Sequence, residues 1–228
     1  MYSSQEHFWT RSSRAIRELS ESNSFRVEFQ RPDPSIVVPT DQSEVLATLM
    51  RHVTFPVAES LREYHFPAEA IHASWESSGQ RDARGEMRLA SISTCLTQWH
   101  PPLGDMTLGE SGQAILAELK IMDEEPFAGT GRATGLRITG RNMEPEVWYH
   151  DRPRSRLTRL ELTYGAYAET ALITKGAFCW QYLFANVELS HPEFHGSVEN
   201  LRESFTLFSE TFPQYDYVPL LDRLEARL

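Results

Sequence analysis

The sequence predicts an α+β protein: a mixed or mainly antiparallel central sheet flanked by helices, with a helical C-terminal part. Three observations carry this reading. Short alternating or aromatic-rich runs recur near residues 25–29, 70–75, 86–92, 136–139, 147–149 and 157–162, the pattern of strands bounded by turn residues. Apolar residues spaced three and four apart dominate the two ends of the chain. A helix comes first and a run of strands follows, which suits segregated elements better than the alternating units of a wound parallel sheet.

Residues 4–20 place Phe8, Trp9, Ala15, Ile16 and Leu19 on one helical stripe, and a polar loop at 20–24 follows. The alternating strand at 25–29 is broken by Pro32 and Pro34, which fix φ and remove donors. Asp41 with Glu44 marks a capping-box start, and Val45, Leu46, Leu49, Met50 and Val53 continue it as a helix. Pro56 opens a second helix over 57–64, which Pro67 closes. Two strands, 70–75 and 86–92, flank a turn-rich stretch at 77–85.

Beyond a loop at 99–104, residues 112–121 suit either a short helix or a strand, and 123–126 with 129–131 read as a polar, mobile connection. Three strands follow. Thr163 caps a helix through Thr174 that Gly176 ends. Ser197 is placed as the cap of a helix carrying Val198, Leu201, Phe205, Phe208 and Phe212, which Pro213 stops, and a last helix spans 217–228.

At 228 residues the chain suits one domain with a sizeable core, 40% hydrophobic and 24% charged. No apolar run approaches the ~20 residues that cross a bilayer, and the first residues lack a secretory pattern. Cys95 and Cys179, the only cysteines, imply reduced thiols rather than a disulfide framework. The expectation is a cytoplasmic protein without a membrane partner. A formal charge of −10 argues against a nucleic-acid partner. The charge is uneven: residues 188–228 hold eight acids against three arginines, whereas 132–159 hold seven arginines against Glu144, Glu146 and Asp151.

Catalytic patterns fail one by one. His191 and His195 have the spacing of a helical metal pair, but Pro192 and Gly196 oppose a regular helix and no third ligand is in sequence. His65 and His72 lack a Cys or carboxylate motif. Gly109-Glu-Ser-Gly112 misses the spacing of a nucleophile elbow, and Gly129-Thr-Gly131 leads into a strand instead of a phosphate-binding helix. No cofactor and no metal site are read. Arg152, Arg154 and Arg156, spaced by two, are the best argument for an anionic ligand. Pro153 and Ser155, however, fit an exposed turn between strands, and the reading taken is a solvated hairpin tip, at which Arg-to-Ser changes leave stability nearly unchanged. The aromatic-rich stretch from Glu146 to Phe184 carries no convergent acid, base or nucleophile and points to a recognition module.

The segments Phe55-Pro-Val-Ala-Glu-Ser-Leu-Arg-Glu-Tyr64, Ile71 to Trp75 and Gly85-Glu-Met-Arg-Leu89 resemble the SUKH superfamily, with its P-x-x-L-R helix and G-E-x-x-L strand. Pro145-Glu-Val-Trp-Tyr-His-Asp151, Leu162 to Tyr167 and Gly176 to Trp180 are similar to a later strand and helix of that family. The resemblance divides a single domain, 1–228, into an N-terminal extension (1–40), a family-like core (42–185) and C-terminal helices (197–228). The family's N-G after the first helix is replaced by Glu76-Ser-Ser-Gly79, and the stretch 99–132 exceeds a minimal member.

The resemblance implies a non-catalytic immunity protein that occludes the active site of a cognate bacterial toxin, an acidic face suiting a nuclease with a basic groove. Candidate partner contacts are Asp123, Glu124, Glu125, Glu144 and Glu146, with Trp148 as an aromatic anchor. Trp148 and Tyr149 face opposite ways on a strand, so one of them belongs to the core. Two other classes stay open: a regulatory or scaffold module, and a small metal-dependent hydrolase whose site is assembled from distant His and Asp residues.

Overall fold

The computed structural model describes residues 7–31, 64, 66, 68–97, 105, 107–138 and 145–228. The helix expected at 45–53, the helix expected at 57–64 apart from Tyr64, and the candidate contact Glu144 lie outside them. Among the described residues the architecture is α+β with seven strands in two antiparallel sheets. One sheet joins β1 (Phe25–Arg31), β2 (Ala70–Ser77) and β3 (Arg84–Ala90) in that order. The other joins β4 (Lys120–Glu124), β5 (Arg132–Arg137), β6 (Glu146–Asp151) and β7 (Arg156–Arg159).

The sheets meet along β3 and β4 through a side chain. Asp123 accepts a hydrogen bond from the Arg88 backbone N–H at 2.9 Å, satisfying an edge donor that a ladder would otherwise satisfy. The register of β4 against β5 slips between Ile121 and Asp123, and Met122 and Asp123 are buried in succession. Such a bulge breaks strict alternation, which is how an aspartate comes to point inward beside a methionine.

Helix α1 (Phe8–Glu21) buries Phe8, Ala15, Ile16 and Leu19, the stripe expected from sequence. The strand expected to reach residue 92 stops at Ala90. Ser91 Oγ accepts from the Thr94 N–H at 3.2 Å and opens α2 (Ile92–Thr97), so a side-chain cap ends the strand two residues early. The ambiguous stretch 112–121 divides into α3 (Glu110–Glu118) and the start of β4.

Helix α4 (Tyr164–Thr174) is capped by Thr163, whose hydroxyl accepts from the Ala166 N–H. It ends at Lys175 and Gly176, both at positive φ. There the chain passes so close to β3 that a Cβ on Gly85 would lie 2.5 Å from the Gly176 carbonyl oxygen and 2.7 Å from the Trp75 ring. Trp75 donates its indole N–H to the Lys175 carbonyl at 2.6 Å and packs against Phe25 and Phe208. Phe208 belongs to α5 (His195–Thr211), which leads through a turn to α6 (Val218–Glu225). These helices close the core with Phe205, Phe208, Phe212, Tyr217 and Leu224.

Ser197 is not the cap of α5. A 3-10 turn at Pro192–Phe194 feeds directly into the helix, which begins at His195 without a side-chain cap. Ser197 is buried in the first turn, its hydroxyl held by Arg154. Among the described residues no helix is long and apolar enough to cross a membrane.

Candidate functional site

The chemically richest region forms where the turn after β4, the start of β5, the end of β6 and the first turn of α5 converge. Asp151, at the end of β6, is fully buried. It accepts from Arg154 Nη1 at 2.6 Å, the Tyr182 hydroxyl at 2.7 Å and Arg132 Nε at 3.3 Å. A buried carboxylate is tolerable only with such charged and hydroxyl donors around it. Arg132 also reaches Glu125 at 3.3 Å, and the Thr130 hydroxyl donates to the same carboxylate at 2.6 Å.

Arg154 spends its remaining donors on the Glu193 carbonyl and Ser197 and lies over the rings of Tyr182 and Phe194. This overturns the hairpin-tip reading for Arg154. The three arginines do not share a side either, because Arg152–Arg154 forms a 3-10 turn instead of an extended segment. Arg156 pairs with Glu193 at 3.0 Å, and Arg152 is exposed.

Burial raises the carboxyls of both Asp123 and Glu125 to about 7. The donors that hold their ionised forms, Tyr167 and the Arg88 N–H for Asp123 and Arg132 for Glu125, offset this only in part. Burial likewise lifts the Cys95 thiol to about 12 and moves Cys179 in the same direction, away from the thiolate form a nucleophile needs.

The structure separates the five candidate contacts that lie among the described residues. Asp123 and Glu125 are buried, the first bonded by Tyr167 at 2.6 Å and the second by Arg132, because the bulge and the following turn direct them inward. They are internal groups rather than partner contacts. Glu124 is partly exposed and pairs with Arg88 at 2.8 Å. Glu146 binds the Trp148 indole N–H at 2.9 Å and Arg159 at 3.0 Å on β6, two strands away. Trp148 packs on a small cluster with Leu108, Leu116 and Leu119, and Tyr149 is the core member of the pair. The turn at 126–129 is anchored rather than loose: the Glu86 carboxylate accepts from the Phe127 and Ala128 N–H groups at 2.8 and 2.7 Å. His72 donates to or accepts from the same Glu86 at 2.7 Å, the partner its sequence neighbourhood did not reveal. His191 is exposed and meets Glu193, while His195 occupies the exposed first position of α5.

Two surfaces adjoin the buried cluster. A cleft of about 740 Å³ opens between the 78–84 hairpin and α5, with Arg132 and Arg154 at its base. Beyond it, α5, α6 and their connections expose all eight acids of residues 188–228: Glu188, Glu193, Glu199, Glu203, Glu210, Asp216, Asp222 and Glu225. No family model matches the chain, and neither a curated protein nor a solved structure matches it.

Proposed function

We propose that this chain is a non-catalytic binding protein of the immunity type, which occludes the active site of a bacterial toxin with a basic substrate groove. One observation carries the reading: the acids of the C-terminal face are all exposed, while its arginines are engaged. Arg202 pairs with Glu225, Arg223 donates to the Leu183 carbonyl, and Arg227 donates to the carbonyls of Leu183, Ala185 and Val187. Glu188, Glu199, Asp216 and Asp222 have no cationic partner among the described residues. Such a face raises the encounter rate with a cationic partner and repels anionic ones.

The test is co-expression with the toxic product of a neighbouring gene, followed by association kinetics of the purified pair. Rescue of growth and a stoichiometric complex are expected. Combined Glu199→Lys, Asp216→Lys and Asp222→Lys changes should slow association by about tenfold or more at low salt. Absence of rescue, or a complex indifferent to both salt and these reversals, would overturn the reading.

A further inference from the structure

We propose that the cleft between the 78–84 hairpin and α5 is a binding site for a small molecule bearing a phosphoryl or carboxylate group. The site is distinct in chemistry from the acidic face beside it. Its volume, about 740 Å³, falls within the range of small-molecule pockets.

Its base holds more positive than negative charge. Arg132 and Arg154 share the single carboxylate of Asp151. The second acid near Arg132, Glu125, is protonated in part near neutral pH because burial raises it to about 7. Arg132 makes only long bonds, 3.3 Å to each carboxylate, and its Nη2 has no hydrogen-bond partner among the described residues. Arg84, on the hairpin wall, is more than half exposed, and its one ion pair among the described residues, to Asp82, is 3.5 Å long. Two guanidinium groups with unspent donors thus line one cleft, and a guanidinium fork matches the oxygens of phosphate or carboxylate.

The opposite wall adds backbone access. Gly196, in the first turn of α5, has open space where a Cβ would stand, so a ligand oxygen can approach the bare main chain there. No side chain caps this turn. Thr130 and Phe178 complete the base; the Thr130 hydroxyl is spent on Glu125, and Phe178 places an apolar ring beneath Arg132. The acids on the rim do not outnumber the arginines. Four arginines line the cleft (Arg81, Arg84, Arg132, Arg154) against Asp82, Glu199 and Glu203; Asp82 pairs with Arg84 at 3.5 Å and Glu203 with Arg81 at 3.4 Å.

The full chain would be titrated calorimetrically with ribose 5-phosphate and with citrate, using ribose as the uncharged control. Saturable binding of either anion with a Kd of about 1 mM or tighter is expected, and which one binds identifies the group recognised. Gly196→Glu fills the cleft with a carboxylate, and Arg84→Ser removes one fork. Each should weaken binding about tenfold or more while melting within about 2 °C of the parent. Neither change removes a buried ion pair, so both variants fold. Absence of saturation by both anions, or binding that Gly196→Glu leaves unchanged, overturns the proposal.

Discussion

Replacing Asp151 by Asn tests whether the buried charge cluster holds the C-terminal helices to the second sheet. The change keeps the side-chain shape and removes the charge and one acceptor oxygen. In the parent, Asp151 takes bonds of 2.6 and 3.3 Å from two arginines and 2.7 Å from Tyr182. An asparagine offers one acceptor oxygen and turns an NH2 group toward a donor. Breaking a fully buried ion pair costs about 3–5 kcal/mol. The guanidinium groups keep some solvent contact, with side-chain exposures of 15% for Arg132 and 17% for Arg154, so the lower end applies. We expect a loss of about 3 kcal/mol in urea unfolding, with Tm lower by about 6–12 °C for a chain of this size. A double-mutant cycle separates charge from shape. Arg154→Met should cost about 1–3 kcal/mol less in the Asp151→Asn background than in the parent. A loss below about 1 kcal/mol for Asp151→Asn, or additive effects in the cycle, would refute the argument.

Three further outcomes follow from the same structure. Gly85→Ala forces a Cβ to within 2.5 Å of the Gly176 carbonyl oxygen, and overpacking there should cost about 3 kcal/mol; a urea midpoint equal to the parent's would show that the crossing can relax. Asp123 and Glu125 titrate near 7 when folded, well above their unfolded values, so the folded chain retains protons that the unfolded chain releases. Their contribution is therefore intact below about pH 4 and lost as pH rises through about 7. Urea stability should fall by roughly 2 kcal/mol or more between pH 5 and pH 8, and the Asp123→Asn, Glu125→Gln double variant should flatten that slope; an unchanged slope in the variant would assign it to other groups. Finally, Arg152→Ser should leave Tm within about 2 °C while Arg154→Ser lowers it by several degrees; equal effects would contradict the different burial of the two side chains.

What was legible in the sequence was periodic or local. The stripe Phe8, Ala15, Ile16 and Leu19 and the Thr163 cap are each decided within a few turns of chain, and each stands where the pattern placed it. The cap at Ser197 failed for a longer-range reason. Its hydroxyl is claimed by Arg154, 43 residues earlier, while the preceding Pro192 starts a 3-10 turn that moves the helix start forward. Asp123 and Glu125 stand on what reads as a polar connection, yet a bulge in β4 and the turn after it direct both inward, and neither feature leaves a composition signal. Glu86 was invisible as an anchor, since its partners His72, Phe127 and Ala128 are scattered over 56 residues. The Arg132–Asp151 pair had one available signal, an excess of arginine over acid at 132–159. A count of charges does not say which of those arginines turns inward.

The fate of the arginines explains why the acidic face is acidic. A surface carboxylate is neutralised when a neighbouring cation turns toward it, and on α6 the cations turn the other way. Arg223 and Arg227 reach across to the Leu183, Ala185 and Val187 carbonyls, at the end of the 3-10 turn Trp180–Phe184 and in the segment after it, where acceptors need donors. That bonding joins α6 to the core and leaves Asp222 without a cationic partner, as Arg154 leaves Glu193 to Arg156 and His191 by binding its carbonyl instead. Stability and surface potential are therefore coupled through the same side chains. Arg227→Met should weaken the hold on residues 183–187 by about 1–3 kcal/mol and make the face still more acidic. If the face meets a cationic partner, association at low salt should be as fast as the parent's or faster despite the lost stability. A slower association by the folded variant would mean that Arg227, just past the end of α6, touches the partner itself.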